Sequence, residues 1–153
     1  MMSTAILNKW IPIRDGDPRA LGLYLRHYSA RKNGATRLWS KNYNRFAAPG
    51  ENLILLTPLC DALFVWSKQL YRLDDQYGVN CAVFRNEGPQ LSSDLISTAS
   101  ELAWERWPGE RLFTFVDSTK IRSSNPGYCF VMAGWRRCGL SNKGLVILER
   151  NQD

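Results

Sequence analysis

Long apolar runs are missing from this 153-residue chain: nowhere do 18 apolar residues follow one another, so the sequence offers no membrane span. The first ten residues, Met1 to Trp10, lack the apolar stretch of a signal peptide. These two absences make a cytoplasmic protein with no membrane partner the expectation. Histidine is nearly absent, His27 being the single one. The four cysteines, Cys60, Cys81, Cys129 and Cys138, contain no C-x-x-C pair, so a Cys/His zinc site is not expected and no metal is assigned. In a reducing compartment they read as small buried apolar residues or free thiols. Acidic residues are absent from two long stretches. Pro18 to Gly50 holds seven Lys/Arg and no acid, and Ser118 to Leu148 holds five and no acid. The middle, Glu51 to Asp117, has ten acids and five bases.

What is present fits one globular domain. Six Trp, six Tyr and six Phe with 44% apolar residues can build a core and argue against disorder. The net charge of +6 comes from the two cationic stretches. If the fold brings them together, their fields add into a surface that attracts phosphates, which points to nucleic acid. Basic residues spread for solubility alone are the plainer alternative.

The pattern along the chain alternates strands and helices. Ala5 to Ile13 reads as a strand, closed by Asp15-Gly16-Asp17-Pro18. Asp17 can cap a helix that has Pro18 at its first position, with Leu23 and Tyr24 inward and Arg26 outward. Arg31 to Asn52 is basic, without a sustained period, and reads as a long functional loop or a short helix. Its Trp39, Tyr43 and Phe46 can stack on bases between cations, or tuck the loop onto the core. Asn52–Thr57, Ala62–Trp66 and Val79–Arg85 read as three consecutive strands. Ser93 to Trp107 is the clearest helix, with Ser92, Ser93 and Asp94 supplying caps and negative charge at its start. Arg111–Asp117 reads as a buried strand and Asn125–Gly134 as a helix with Asn125 as its cap. Trp135–Cys138 and Leu145–Leu148 read as closing strands. The expected class is α/β (α+β), a mixed, mainly antiparallel sheet with helices on both faces.

This order resembles the GNAT acyltransferase fold. The stretch Phe113 to Gly139 carries most of the likeness: a strand, a loop, Asn125 at a helix start, Tyr128 and Phe130 in that helix, and Gly134-Trp135 leading into the next strand. His27-Tyr28-Ser29 followed by basic residues and Trp39-Ser40, together with Phe115-x-Asp117, is similar to one branch, the phage Mom-like DNA-modification proteins. That resemblance implies transfer of an acyl-derived group to an exocyclic base amine, adenine favoured, which hides phage DNA from restriction enzymes. It implies DNA and an activated acyl donor as partners.

GNAT enzymes carry a Gly-rich loop before the central helix whose N–H groups hold a pyrophosphate. Here Glu87 to Ser93 has one Gly, a Pro and no Arg. The donor is therefore left open: acetyl-CoA or another activated acyl group, including one carried on RNA. An anion at the helix start would meet Ser92 and Ser93, and Asn125 is the third residue assigned to donor binding.

Acylation of a base amine requires proton removal, oxyanion stabilisation and protonation of the leaving group. His27 titrates nearest neutrality and is the first candidate base, a helix C-cap being its structural alternative. Asp117 would orient His27, act as base or bind the base edge; the alternative is an Asx turn at the loop start. Tyr128 would protonate the leaving group, or pack on the sheet instead. Ser29 would hydrogen-bond substrate. Lys120, Arg122, Arg136 and Arg137 would grip phosphates on one wall, with Arg31, Lys32, Arg37 and Trp39 on the other. Two other readings compete. One is a GNAT-like enzyme acting on a small amine or protein. The other is a non-catalytic nucleic-acid-binding protein on the same scaffold.

Overall fold

A seven-stranded sheet organises the protein, with its strands in the order β1-β4-β5-β6-β7-β9-β8. The computed structural model describes residues 9–27, 31–32, 35–36, 45–69, 72, 74–120 and 125–153, with the backbone alone at 31–32 and 35–36. The strands are β1 (Ile11–Ile13), β4 (Glu51–Leu56), β5 (Ala62–Lys68), β6 (Val79–Asn86), β7 (Leu112–Val116), β8 (Arg136–Leu140) and β9 (Val146–Arg150). Arg31–Lys32 and Ala35–Thr36, β2 and β3, pair with each other apart from this sheet. The helices with described bounds are α1 (Pro18–Arg26), α2 (Ser92–Arg106) and α3 (Tyr128–Met132), and Lys9, expected in the first strand, is helical instead.

Both sheet faces are covered, as expected of strands that read as continuous apolar runs. On one face α2 and α3 close over Leu55, Phe64, Trp66, Val79 and Leu148, with Leu95, Ile96, Ala99 and Phe130 pressed against them. Trp10 and Trp66 donate their indole N–H to the Leu95 and Ala99 carbonyls at 2.9 Å each, which fastens α2 to the sheet. On the other face α1 packs Ala20, Leu23 and Tyr24 over Ile54, Leu63, Val65 and Val83.

Local chemistry explains the start of α1. Asp17 is its N-cap, accepting from Arg19 N at 2.9 Å, and Pro18 occupies the first turn. The other two helix starts differ from expectation. Leu91 holds the N-cap position of α2 and gives no side-chain bond, so Ser92 and Ser93 fall inside the first turn. Asn125 does not cap α3; Gly127, at φ 78°, does, because the chain turns there through a left-handed conformation. The basic segment also departs from a plain loop or helix. It contains the β2–β3 ladder, and its end is seated in the core: Phe46 is 2% exposed and stacks on Tyr24 at 5.0 Å. Asp15 holds that seat by accepting from Phe46 N at 2.8 Å. Trp39 and Tyr43 lie outside the described residues.

One pair of strands breaks the antiparallel pattern. β6 and β7 run parallel and pair at only three positions, Val79–Leu112, Asn80–Phe113 and Cys81–Thr114. Gly78, at φ 104°, lets the Arg111 carbonyl come close enough to accept from Val79 N at 2.8 Å, which starts this pairing. Beyond Cys81 no ladder joins the two strands, although β6 continues to Asn86 and stays paired with β5. The β5–β6 register slips at this level: Trp66 pairs with Cys81 and Val65 with Val83, leaving Ala82 as a bulge. A bulge bends its strand and adds twist, which accounts for the parting of β6 from β7.

Candidate functional site

Two of the groups the sequence nominated, His27 and Asp117, lie on the side of the sheet end where the β6–β7 ladder has stopped. His27 caps the C-terminus of α1, its N–H donating to the Tyr24 carbonyl at 3.0 Å, and its imidazole is hydrogen-bonded to the Phe84 backbone on β6. Asp117 follows the last residue of β7. Phe84 and Asp117 each lie three positions past the last paired residue of their strand. The imidazole and the carboxylate thus stand at the same end of the sheet, beside neighbouring strands.

Burial, and then the charge of Arg85, push the His27 pKa down to about 4, while its bond to the Phe84 backbone pulls the other way. The imidazole is therefore neutral at physiological pH. Arg85 also donates to the Arg26 carbonyl at 3.1 Å, and both arginines share Glu87 at 2.6–2.8 Å. Those arginine hydrogen bonds, Arg26 first, hold the Glu87 carboxyl well below its usual range. This cluster pins the end of α1 to the end of β6, and the sequence reading missed Arg85 and Glu87. Their two-residue spacing is ordinary, and only the fold brings Arg26 across to them.

Asp117 is engaged locally. Its Oδ1 accepts from Thr119 N at 3.0 Å and from the Thr119 hydroxyl at 2.6 Å, the Asx turn that opens a 3-10 turn at Ser118–Lys120. These bonds, the hydroxyl first, lower its pKa. Tyr128 begins α3 and is 53% exposed, so its phenol reaches solvent rather than packing on the sheet. Phe130 takes the packing role instead, edge-on to Phe84 at 6.1 Å and to Trp135 at 5.0 Å.

The stretch before α2 is not an open cradle for a pyrophosphate. Glu87 N donates to the Asp61 carbonyl at 2.8 Å and Gly88 N to Asn86 Oδ1 at 3.0 Å. The Asp61 carboxylate lies so close to Gly88 that a Cβ there would meet it at 2.2 Å. Ser92 Oγ is occupied by Asn86 Nδ2 at 3.0 Å. A carboxylate and spent N–H groups disfavour an anion here, so these residues do not fit the pyrophosphate of coenzyme A.

The cations are partly committed. Arg136 is paired with Glu149 yet remains largely exposed; Arg137 is held by Asn125 Oδ1 and by the Pro126 carbonyl at 2.8 Å. Lys120 is exposed on the 3-10 turn. The side chains of Arg31 and Lys32, and the whole of Ser29, Arg37, Trp39 and Arg122, lie outside what is described. Among the described residues no cluster of three His, Cys, Asp or Glu could hold a metal, and no helix is long and apolar enough to cross a membrane.

No protein-family model matches the chain, and no curated protein matches it.

Proposed function

We propose that this protein is a GNAT-like acyltransferase of the DNA-modifying type, acting on an exocyclic amine of a base, with adenine favoured. One observation carries the reading: a single parallel strand pair inside an otherwise antiparallel sheet, joined at three positions and then unpaired beyond a bulge. Unpaired backbone groups facing such a gap can hydrogen-bond an extended acyl carrier. The carrier is left open, because the Glu87–Ser93 stretch fits a pyrophosphate poorly. The excess of cations in the segments on either side of the acidic middle supports a polyanionic acceptor.

In this account the base leaves its stack to reach the gap. Its amine nitrogen bonds to the acyl carbon as the bond to the carrier breaks. The amine proton passes to a base, and the departing carrier takes a proton from Tyr128. His27 is neutral and so able to accept, but a pKa near 4 makes it a weak acceptor at rest. A phosphate backbone beside Arg26 and Arg85 would offset the cationic field and lift that pKa toward neutrality. Asp117, ionised and at the same sheet end, is the second candidate acceptor.

A second reading, a nucleic-acid-binding protein without catalysis on the same scaffold, draws on the obstructed Glu87–Ser93 stretch. A third, acylation of a small amine or a protein, uses the gap and turns the cations to an anionic donor. Incubating the purified chain with DNA and a cell extract that retains both small molecules and RNA as donor source, with isotope-labelled acyl groups, tests the proposal. Label in DNA that is lost in His27→Ala or Asp117→Ala is the expected result. Label confined to small amines or protein, or none at all, overturns it.

A further inference from the structure

Two arginines converge on one carboxylate beside His27. Arg26 grips Glu87 with both prongs, Nε donating to Oε2 at 2.7 Å and Nη2 to Oε1 at 2.8 Å, and Arg85 Nε adds a third bond to Oε2 at 2.6 Å. Arg85 also donates to the Arg26 carbonyl at 3.1 Å, which ties the pair together without help from Glu87. Gly22 lies one turn before Arg26, and a Cβ there would stand 3.2 Å from Arg26 Nη1. A glycine weakens a helix interior, and here it leaves the guanidinium room to lie back on the helix.

The fork is unbalanced, with two cations sharing one anion. Arg19–Asp17, Lys68–Glu110 and Arg72–Asp74 match one to one. Glu149 also serves two arginines, but its side chain and that of Arg111 are 8% and 6% exposed, so little of that pairing is open to a ligand. The side chains of Arg26, Arg85 and Glu87 are 54%, 35% and 28% exposed, so an anion from solution can reach the guanidinium groups and replace the carboxylate. Asp61, whose carboxylate lies against Gly88, is engaged by the Thr57 hydroxyl at 2.6 Å.

A guanidinium pair that holds a carboxylate in this way recognises a singly charged group with two oxygens. The phosphodiester of nucleic acid is such a group, one negative charge spread over two non-bridging oxygens. Arg26 belongs to the stretch Pro18–Gly50, with seven Lys/Arg and no acid, and such surroundings favour a strand carrying many charges over an isolated anion. The fork also adjoins the candidate base: Arg26 precedes His27, and the His27 imidazole is bonded to the backbone of Phe84, the residue before Arg85.

We infer that Arg26 and Arg85 form a phosphodiester-binding site beside His27 that Glu87 keeps closed, its carboxylate standing where one backbone phosphate binds. The inference rests on the nucleic-acid reading above and adds to it a phosphate contact and a gate. Strand binding and the Glu87 pairing exclude each other, so the latch lowers affinity by the fraction of molecules in which it is open. The plainer role, a clasp that only fastens α1 to β6, predicts no gain when the carboxylate is removed.

The test titrates a short oligodeoxythymidylate against the full chain, Glu87→Gln, Arg26→Gln and the two combined, with circular dichroism checking each fold. Glu105→Gln, an exposed acid of α2, controls for the lost negative charge. Glu87→Asp, which draws the carboxylate back by one carbon, is the second latch variant. The expected result is roughly tenfold tighter binding by Glu87→Gln, a smaller gain by Glu87→Asp and a change of under about twofold in Glu105→Gln. Arg26→Gln should bind more weakly, and in its background the Glu87→Gln gain should vanish. No gain in either Glu87 variant overturns the inference, as does an equal gain in Glu105→Gln or a gain that survives Arg26→Gln. Inorganic phosphate or an oligoglutamate that competes as well as the oligonucleotide overturns the phosphodiester assignment. DNA binding indifferent to Glu87 and Arg26 sinks the latch alone; no DNA binding by any variant sinks the nucleic-acid reading with it. Latch behaviour without acyl transfer sinks the acyltransferase reading and leaves the latch standing.

Discussion

Acidification should destabilise this protein through His27 before its carboxylates matter. The folded pKa is about 4 and the ordinary value 6.5, so between these the folded state binds fewer protons than the unfolded one. The associated stability is fully present above the unfolded pKa and is lost as pH falls toward 4. Integrating the two titrations gives a loss of about 2 kcal/mol between about pH 7.5 and about pH 5, and about 3 kcal/mol at about pH 4. Against a total of about 5–15 kcal/mol this is large, equivalent to roughly 1 M in a urea midpoint. Above about pH 5 the imidazole dominates, because the Asp17, Asp74, Glu87, Asp117 and Glu149 carboxyls, held low by their partners, cost stability only as pH falls through their ordinary values of 3.8 and 4.5. His27 is also the only histidine. Urea unfolding at several pH values, repeated for His27→Gln, is the assay. The substituted chain should lose most of the pH dependence in this range. A flat wild-type profile, or the same slope in His27→Gln, would refute both the burial and the Arg85 contribution.

Three further outcomes follow from the packing and the charge. Phe46→Ala should cost about 3–5 kcal/mol in chemical denaturation, because the ring is buried against Tyr24; a loss under about 1 kcal/mol would remove the basic segment's end from the core. Gly78→Ala should cost more than about 2 kcal/mol, since its Cβ would stand 2.1 Å from the Arg111 carbonyl oxygen at a φ of 104°; a near-neutral melting temperature would contradict the close approach that starts the β6–β7 pairing. Replacing Arg136 and Arg137 together with Gln should make the logarithmic salt dependence of DNA binding shallower by about 2, read by titration at several salt concentrations; an unchanged slope would take both residues off the phosphate-binding wall.

Much of the element order was legible because its signals are local. The continuous apolar runs of β4, β5 and β6 and the three- and four-residue spacing in α2 appear in the structure within a residue or two. Asp17-Pro18 opens α1 as its chemistry dictates. The helix starts at Leu91 and Gly127 were misread because Ser92, Ser93 and Asn125 are good caps that the tertiary fold uses otherwise. Ser92 instead receives Asn86 Nδ2, and Asn125 holds Arg137. Asp117 sits in the Asx turn that had been weighed against its catalytic role. The gap itself was not legible. It depends on the register slip at Ala82 and on where the β6–β7 ladder stops, and strand register leaves no mark on local periodicity. Asn52, Ser67 and Asn80 show the same limit: each looks like an ordinary polar residue near a strand end, and only cross-strand pairing aligns them in one row.

The central claim is that a base amine is acylated beside the splayed strands, and the mass of the product nucleoside tests it most directly. DNA from cells expressing the chain is digested to nucleosides and weighed beside DNA from cells expressing His27→Ala. The account predicts one adenine or cytosine nucleoside carrying added acyl mass in the first sample and lacking it in the second. Identical, unmodified nucleosides in both would contradict it.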